Sequence, residues 1–150
     1  MITRNLSMGR FRLMLSFNEL KEQIVSVCKG QKEIIAVWLF GSRAREDSQS
    51  DSDIDIALLL EDNQIGSFPY LDFKVSLERA LNRNVDLIIL NRAGEILKQQ
   101  VRKYGKIMYE SNHKKKKQWE ILSRKFYQDF LHLHDIYMRK LYKHYRSGNG

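Results

Sequence analysis

The chain has 150 residues, of which 43% are hydrophobic and 29% charged, and its formal net charge is +8. This length suits one domain with a substantial core, and the composition predicts a soluble globular chain and excludes a disordered one. The single cysteine, Cys28, excludes an intramolecular disulfide framework and fits the reducing cytoplasm, where we expect the protein. No secretory leader stands out and no apolar run approaches the roughly 18 residues of a membrane span, so we expect no membrane association.

Helical and strand patterns alternate along the chain as far as Glu110. Ser16 and Glu19 have the spacing of a capping box, which begins a helix, and the apolar run Ile34–Phe40 is typical of a strand covered on both faces. In chain order, the predicted elements are a helix from Ser16 to about Cys28, a strand Ile34–Phe40, a short helix beginning at Arg43, a strand Asp53–Leu60, a helix from about Pro69 that includes Leu81, a strand Val85–Leu90, a helix Glu95–Tyr104 and a strand Lys106–Glu110. This order predicts an α/β (α+β) fold, with a small mixed β-sheet flanked by helices.

The positive charge is concentrated near the C-terminus. Residues 111–150 contain ten Lys/Arg and three Asp/Glu, whereas residues 1–110 are nearly neutral. We therefore predict an N-terminal extension (1–15), a domain (16–110) and a tail (111–150), which consists of a basic hinge at Lys114–Lys117 and an amphipathic helix. The apolar residues of the tail recur every three or four positions and are Trp119, Leu122, Phe126, Phe130, Leu133, Tyr137 and Leu141. An exposed stripe of this size would aggregate, so we expect another chain to cover it, either a partner protein or a second copy. Packing on the chain's own domain is the alternative.

Two acids stand at the start of the second predicted strand. Successive strand residues point to opposite faces, so Asp53 and Asp55 lie on one face with Ile54 between them. Carboxylates this close repel each other, and burial would raise their pKa values unless a cation holds them ionised. Their oxygen atoms suit Mg²⁺. Gly41 lets a backbone approach a ligand closely, and the amides around Ser42 can bind an anion such as phosphate. Together these residues indicate a metal–phosphate site.

A third acid interrupts the apolar strand "VDLIIL". Asp86 occupies a position where an ordinary strand has Val, Ile or Leu. If its strand neighbours that of Asp53 and Asp55, the three carboxylates form a cluster that can hold two metal ions for in-line displacement at phosphorus. A Gly-Ser turn, an Asp-x-Asp pair or a strand acid is common by itself in surface structure. The specific signal is their combination in this order.

The segment "LFGSRAREDSQSDSDIDIALLL" resembles the minimal nucleotidyltransferases (MNT) of the polymerase-β-like superfamily, in which ten residues separate Gly-Ser from Asp-x-Asp. The similarity covers about residues 16–110 and implies the polymerase-β-like nucleotidyltransferase fold. It also implies Mg²⁺ as the cofactor, ATP as the donor and a role for each motif residue. The expected site residues are Gly41, Ser42 and Arg43 for the nucleotide phosphates, and Asp53, Asp55 and Asp86 for the metal and catalysis.

One position departs from the family's pattern. After the stretch Gly-Ser-Arg-Ala-Arg the family usually has Gly, whereas this chain has Glu46. This residue adds a negative charge near the expected triphosphate. Arg43 and Arg45 supply positive charge that would offset it.

The small size of the chain is similar to that of the antitoxin subunits of HEPN/MNT toxin–antitoxin pairs. Members of that group transfer AMP from ATP to a tyrosine of the partner HEPN ribonuclease and silence it, so the resemblance implies a protein adenylyltransferase with a HEPN toxin as partner. Two alternatives stay open, namely an antitoxin that binds without catalysis and a nucleotidyltransferase that modifies a small molecule. A homo-oligomer also stays open, and we expect no direct binding of nucleic acid.

Overall fold

The structure is a computed structural model that describes residues 15–41 and 53–148. Its elements, in chain order, are helix α1 Phe17–Cys28, strand β1 Ile34–Phe40, strand β2 Ile54–Leu60, helix α2 Tyr70–Leu81, strand β3 Val85–Ile89, helix α3 Glu95–Tyr104, strand β4 Lys106–Glu110 and helix α4 His113–Gly148. The predicted order of helices and strands is confirmed within the described residues. The short helix predicted at Arg43 lies outside them.

Local sequence explains where several elements begin and end. The Ser16 hydroxyl accepts a hydrogen bond from the Glu19 amide at 3.2 Å, so the N-terminus of α1 is capped. Asn82 ends α2 in the left-handed conformation, with a φ of 51°, which Asn tolerates better than most residues. The chain then enters β3 after two further residues.

The sheet is mixed, as predicted. The strand order is β3-β2-β1-β4, with β1 antiparallel to both β2 and β4 and β2 parallel to β3. The parallel pair needs a crossover, which α2 supplies. Because β2 and β3 run in the same direction, their N-terminal ends lie side by side at one end of the sheet. Gly41 follows the last residue of β1 at that same end, since Phe40 pairs with Asp55 of β2.

Each face of the sheet carries its own apolar core. The first core joins α1 and α2 to strand residues that include Ile54, Ile56 and Leu58. The second core lies on the opposite face and joins α3 and the start of α4 to Trp38 and Leu59. Every residue of β1 is buried, as expected for a strand covered on both faces.

The predicted hinge in the tail is wrong, because Lys114–Lys117 belong to the first turns of the 36-residue helix α4. The side chain of Asn112 accepts a hydrogen bond from the Lys115 amide and so caps this helix. Two of the four lysine side chains also form ion pairs with the domain. Lys115 Nζ lies 2.7 Å from Glu61 Oε1, and Lys116, which is buried, places Nζ 2.8 Å from Glu110 Oε2. A hinge would need residues without such partners.

The first half of α4 packs on the domain itself. The rings of Trp119 and Trp38 lie 5.4 Å apart, Ser123 is buried, and the Arg102 guanidinium stacks over the Tyr127 ring at 5.6 Å. The expectation that a partner covers the whole apolar stripe is therefore wrong for Trp119, which belongs to the second core. No helix among the described residues combines the length and the apolar composition needed to cross a membrane.

We predict that two truncations separate the halves of α4. Ending the chain after Glu110 should destabilise the domain by about 3 kcal/mol or more, because it removes Trp119 from the second core and leaves Trp38 uncovered. Ending it after Phe130 should leave the melting temperature nearly unchanged, since every later described residue is exposed. Thermal unfolding followed by circular dichroism measures both. Equal melting temperatures for the two truncated chains would contradict the packing described above.

Candidate active site

The three predicted aspartates lie at the N-terminal ends of the parallel strands β2 and β3. Asp53 directly precedes β2, and Asp55 pairs in register with Asp86 of β3. Ile54 and Ile56 are fully buried in the first core, so alternation along the strand places Asp53 and Asp55 on the opposite face. Neighbouring strands are about 4.8 Å apart, which brings Asp86 beside this pair. The sheet register thus assembles residues from two distant segments.

The electrostatics of the site centre on Asp55, which is half-buried. Burial raises the pKa of its carboxyl, and the nearby carboxylates of Asp86 and Asp53 raise this pKa further. Among the described residues, no ion pair or side-chain hydrogen bond gives any of the three aspartates a cationic partner. The site is therefore a concentration of negative charge without a compensating cation from the described part of the protein.

Two features of the structure favour glycine at position 41, namely its backbone conformation and the closeness of Asp55. Its φ is +72°, a conformation that residues with a Cβ rarely adopt. A Cβ built on Gly41 would also overlap the carboxylate of Asp55. Because Gly41 has no side chain, the Asp55 carboxylate can occupy its observed position, and the backbone of Gly41 stays accessible to a ligand.

The carboxylates fit a divalent cation that is completed by a substrate. In the described residues, no three acidic, histidine or cysteine side chains are gathered closely enough to form a full metal site by themselves. Mg²⁺ commonly takes only one or two protein carboxylates and completes its shell with water and substrate phosphates. Asp53 and Asp55 meet that requirement, and their mutual repulsion is what a cation would relieve. Ser42, Arg43, Arg45 and Glu46 lie outside the described residues.

Sequence reasoning missed a residue that anchors the strand of Asp86. The Tyr70 hydroxyl donates a hydrogen bond of 2.6 Å to the carbonyl oxygen of Leu87, which is next to Asp86. Tyr70 is the first residue of α2, so this bond joins the crossover helix to β3 directly beside Asp86. A tyrosine at a helix start is ordinary, and the sequence carries no signal of this long-range bond.

Comparison with known proteins places this arrangement in a family. The family described as polymerase beta, nucleotidyltransferase matches residues 22–114, which include strands β1 to β4 and all three aspartates. A protein of Methanocaldococcus jannaschii, named as a candidate protein adenylyltransferase, is 35% identical over 79 residues, which are 50% of this chain and 79% of that protein.

Solved structures share the fold. A toxin–antitoxin structure with AMP-PNP has a TM-score of 0.68 and 24% identity, over 81% of this chain and 97% of that chain. A complex of a tri-AMPylated Shewanella oneidensis HEPN toxin with an MNT antitoxin has a TM-score of 0.62 and 21% identity, over 83% of this chain and 97% of that chain. Since the family match covers more than half of the chain, and its sheet brings the three aspartates to one end, this protein belongs to the polymerase β nucleotidyltransferase family.

Proposed function

We propose that this chain is an Mg²⁺-dependent protein adenylyltransferase that transfers AMP from ATP to a tyrosine of a HEPN ribonuclease toxin and thereby acts as its antitoxin. The observation that carries the proposal is the register pairing of Asp55 with Asp86, beside Asp53 and the Gly41 turn. This arrangement offers carboxylates for a metal–triphosphate complex and a further carboxylate for the acceptor.

The names of similar proteins support the choice of donor and acceptor. The Methanocaldococcus jannaschii relative is named for adenylyl transfer to protein. The structural neighbours include a toxin–antitoxin structure with AMP-PNP, an ATP analogue, and a complex that contains an AMPylated HEPN toxin.

The proposed reaction assigns a separate task to each group of the site. Asp53 and Asp55 would hold Mg²⁺, which supplies charge stabilisation at the phosphates. The tyrosine oxygen of the acceptor attacks the α-phosphorus of ATP, the bond between this phosphorus and the bridging oxygen to the β-phosphate breaks, and pyrophosphate leaves. Asp86 accepts the proton of the tyrosine hydroxyl. The Gly41 backbone lies close to Asp55 and has no side chain, so it would let the phosphates approach the bound metal.

Intact-mass spectrometry tests the function directly. The product of the gene next to that of this chain is incubated with the full chain, ATP and Mg²⁺, and we expect its mass to rise in steps of one AMP. The matched control is Asp53→Asn. If the toxin is silenced equally well by Asp53→Asn and gains no mass with either protein, the antitoxin acts by binding alone. If AMP appears on a small molecule instead, the proposed acceptor is wrong.

Asp86→Asn should slow the transfer more than it weakens the binding of ATP. Its proposed task, acceptance of the hydroxyl proton, matters most in the transition state, and loss of a general base typically costs about 100-fold or more in rate. Calorimetry with ATP and Mg²⁺ gives the affinity, and single-turnover transfer gives the rate. Asp72→Asn, on the exposed side of α2, is the control. A collapse in ATP affinity with an unchanged rate per bound complex would show that Asp86 is a ground-state ligand instead.

A further inference from the structure

A cleft at the end of α2 contains two arginines and lies outside the site described above. Its volume is about 330 Å³, which falls in the range of about 300–1,000 Å³ that is typical of ligand pockets. The residues that line it come from the last two turns of α2 and from the three residues that lead into β3. They are Val75, Glu78, Arg79, Asn82, Arg83 and Asn84. We call this cleft the arginine cleft.

The guanidinium of Arg83 is the unusual group in this cleft. Arg83 is only 7% exposed, and its two terminal nitrogen atoms, Nη1 and Nη2, are buried without a hydrogen-bond partner. No ion pair among the described residues involves Arg83. An arginine side chain stays charged in proteins, and a buried charge is costly unless it is paired. The buried N–H groups therefore require an acceptor that the described residues do not supply.

The nearby end of α2 does not provide this acceptor. A helix C-terminus favours a cation, because its last carbonyl groups carry a partial negative charge. Asn82 turns the chain in the left-handed conformation, and the Arg83 amide donates to the carbonyl oxygen of Glu78 at 3.3 Å. The side-chain atoms Nη1 and Nη2 make no such bond. The helix end thus explains the position of the Arg83 backbone and leaves the terminal N–H groups unpaired.

The charges around Arg83 favour an anionic ligand. Arg79 is exposed, and no ion pair within the described part of the chain involves it. Glu78 is the one acid among the described residues that line the cleft, and its Oε2 accepts a hydrogen bond from the Val85 amide at 3.1 Å. Two guanidinium groups and one carboxylate give the cleft a net positive charge. A guanidinium binds the oxygen atoms of phosphate or carboxylate through two parallel N–H bonds.

The number of donors favours phosphate over carboxylate. A phosphate group has three strong acceptor oxygens and about −1.5 to −2 charges at neutral pH, so it can accept N–H bonds from both arginines at once. The side chains of Asn82 and Asn84, both exposed, add amide donors to the lining. Exposed side chains change rotamer within nanoseconds, so they can move to admit a ligand to the guanidinium.

The arginine cleft lies at the same end of the sheet as the aspartates. The carbonyl oxygen of Asn84 accepts a hydrogen bond of 2.9 Å from the amide of Ile54, which stands between Asp53 and Asp55. Asn84 is also two residues before Asp86. The cleft is nevertheless a separate site, because α2 packs on the face of the sheet opposite to the one that carries the aspartates.

We propose that the arginine cleft binds a phosphate group, with the guanidinium of Arg83 as its main contact and Arg79 as a second cationic contact. The phosphate is either part of the phosphate tail of the donor nucleotide, bound at the same end of the sheet, or a separate phosphate or pyrophosphate ion. The first source rests on the proposed function, in which ATP is the donor. The cleft itself requires no transfer reaction.

Binding of inorganic pyrophosphate to the full chain in EDTA tests the arginine cleft. Without a metal ion the three aspartates repel this anion, so binding is expected at the cleft and not at the carboxylates. Calorimetry at about 0.15 M salt, which screens weak attraction to the surface, gives the dissociation constant. We expect Arg83→Gln to raise this constant about tenfold or more and Arg79→Gln to raise it about threefold, since a buried charge-assisted pair is stronger than an exposed one. Arg92→Gln, an exposed arginine beyond the other end of β3, is the matched control and should change it less than about twofold.

Two further variants separate ligand binding from a structural role of Arg83. Arg83→Lys keeps the charge and loses the planar fork, so its affinity for pyrophosphate should lie between those of the original chain and Arg83→Gln. Pyrophosphate should raise the Tm of the original chain and should raise that of Arg83→Gln much less. If Arg83→Gln does not fold, Arg79→Gln decides the test, because Arg79 is exposed and its loss leaves the core intact.

Binding of ATP with Mg²⁺ identifies the source of the phosphate. If Arg83→Gln weakens ATP binding by a factor similar to that for pyrophosphate, the cleft holds the phosphate tail of the donor. If only pyrophosphate binding is weakened, the cleft holds a separate phosphate ligand, and either result supports the cleft. No binding of pyrophosphate by the original chain, or equal effects of Arg83→Gln and Arg92→Gln, overturns it. These measurements need no AMP transfer, so the proposed function can fail while the phosphate site is confirmed.

Discussion

Asp53→Asn and Asp55→Asn are each expected to reduce AMP transfer by about 100-fold or more while leaving a folded protein. Either substitution removes a carboxylate oxygen that we assign to Mg²⁺, and so removes charge stabilisation at the phosphorus under attack. The measurement is the rate of pyrophosphate release at saturating ATP. Asp129→Asn, an exposed acid on α4, is the control and should retain full activity. Turnover at the original rate in either site variant would refute the metal assignment.

The same substitution at Asp55 should stabilise the metal-free protein. Burial and the neighbouring carboxylates raise the pKa of Asp55 in the folded state, so folding becomes less favourable as the pH rises through the ordinary Asp range and above it. Asn removes this penalty. We expect Asp55→Asn to melt at a higher temperature than the original chain at pH 7 with EDTA, and the difference to vanish at acidic pH, where Asp55 is protonated in both states. A lower melting temperature at pH 7 would contradict the electrostatic description of the site.

Gly41→Ala is expected to abolish most of the activity and to destabilise the protein as well. A side chain at a φ of +72° costs about 1–2 kcal/mol, and the added Cβ would displace the Asp55 carboxylate that it overlaps. The combined result differs from that of Asp55→Asn, in which activity falls while stability rises. Thermal unfolding and pyrophosphate release, measured on the same preparation, distinguish the two.

Gly30→Ala is the matched control for the loss of stability that a side chain at a positive φ causes. Gly30 has a φ of +88°, but nothing lies within 4 Å of the position of an added Cβ. This variant should therefore lose stability to a similar degree and keep its transfer activity. If Gly30→Ala and Gly41→Ala lose activity equally, the loss follows from instability and the contact between Gly41 and Asp55 has no specific role.

Much of the fold and the site could be predicted from local patterns. Continuous apolar runs predicted the strands, and the spacing of Asp53 and Asp55 placed them on one face, because alternation along a strand is a property of the backbone itself. The helix Glu95–Tyr104 and the strand Lys106–Glu110 have the predicted bounds. By contrast, β2 begins one residue later than predicted and β3 ends one residue earlier. End residues depend on hydrogen bonds to neighbouring strands, which periodicity does not specify.

Tertiary contacts determine how the tail packs on the domain. Its periodicity predicts a helix with an apolar face, but periodicity cannot tell which surface covers that face. Lys115 pairs with Glu61, 54 residues earlier in the chain, and Trp119 packs on Trp38, so a segment that is locally basic and polar becomes the first turns of an anchored helix. The predicted division of the chain into extension, domain and tail, with boundaries at residues 15 and 110, remains a proposal. The contacts of Lys115 and Trp119 join the tail to the domain across the second boundary.

The sequence by itself determined the family, the helices and strands and the acids of the candidate site, because each follows from a motif or from the period of a local backbone conformation. Only the tertiary structure decided that Asp55 lies opposite Asp86, that a side chain at position 41 would collide with Asp55, and that the first half of α4 packs on the domain while residues 131–148 are exposed. These features join residues that are far apart in the chain. They follow from strand register and from the packing of helices on the sheet, which are settled only when the whole domain folds.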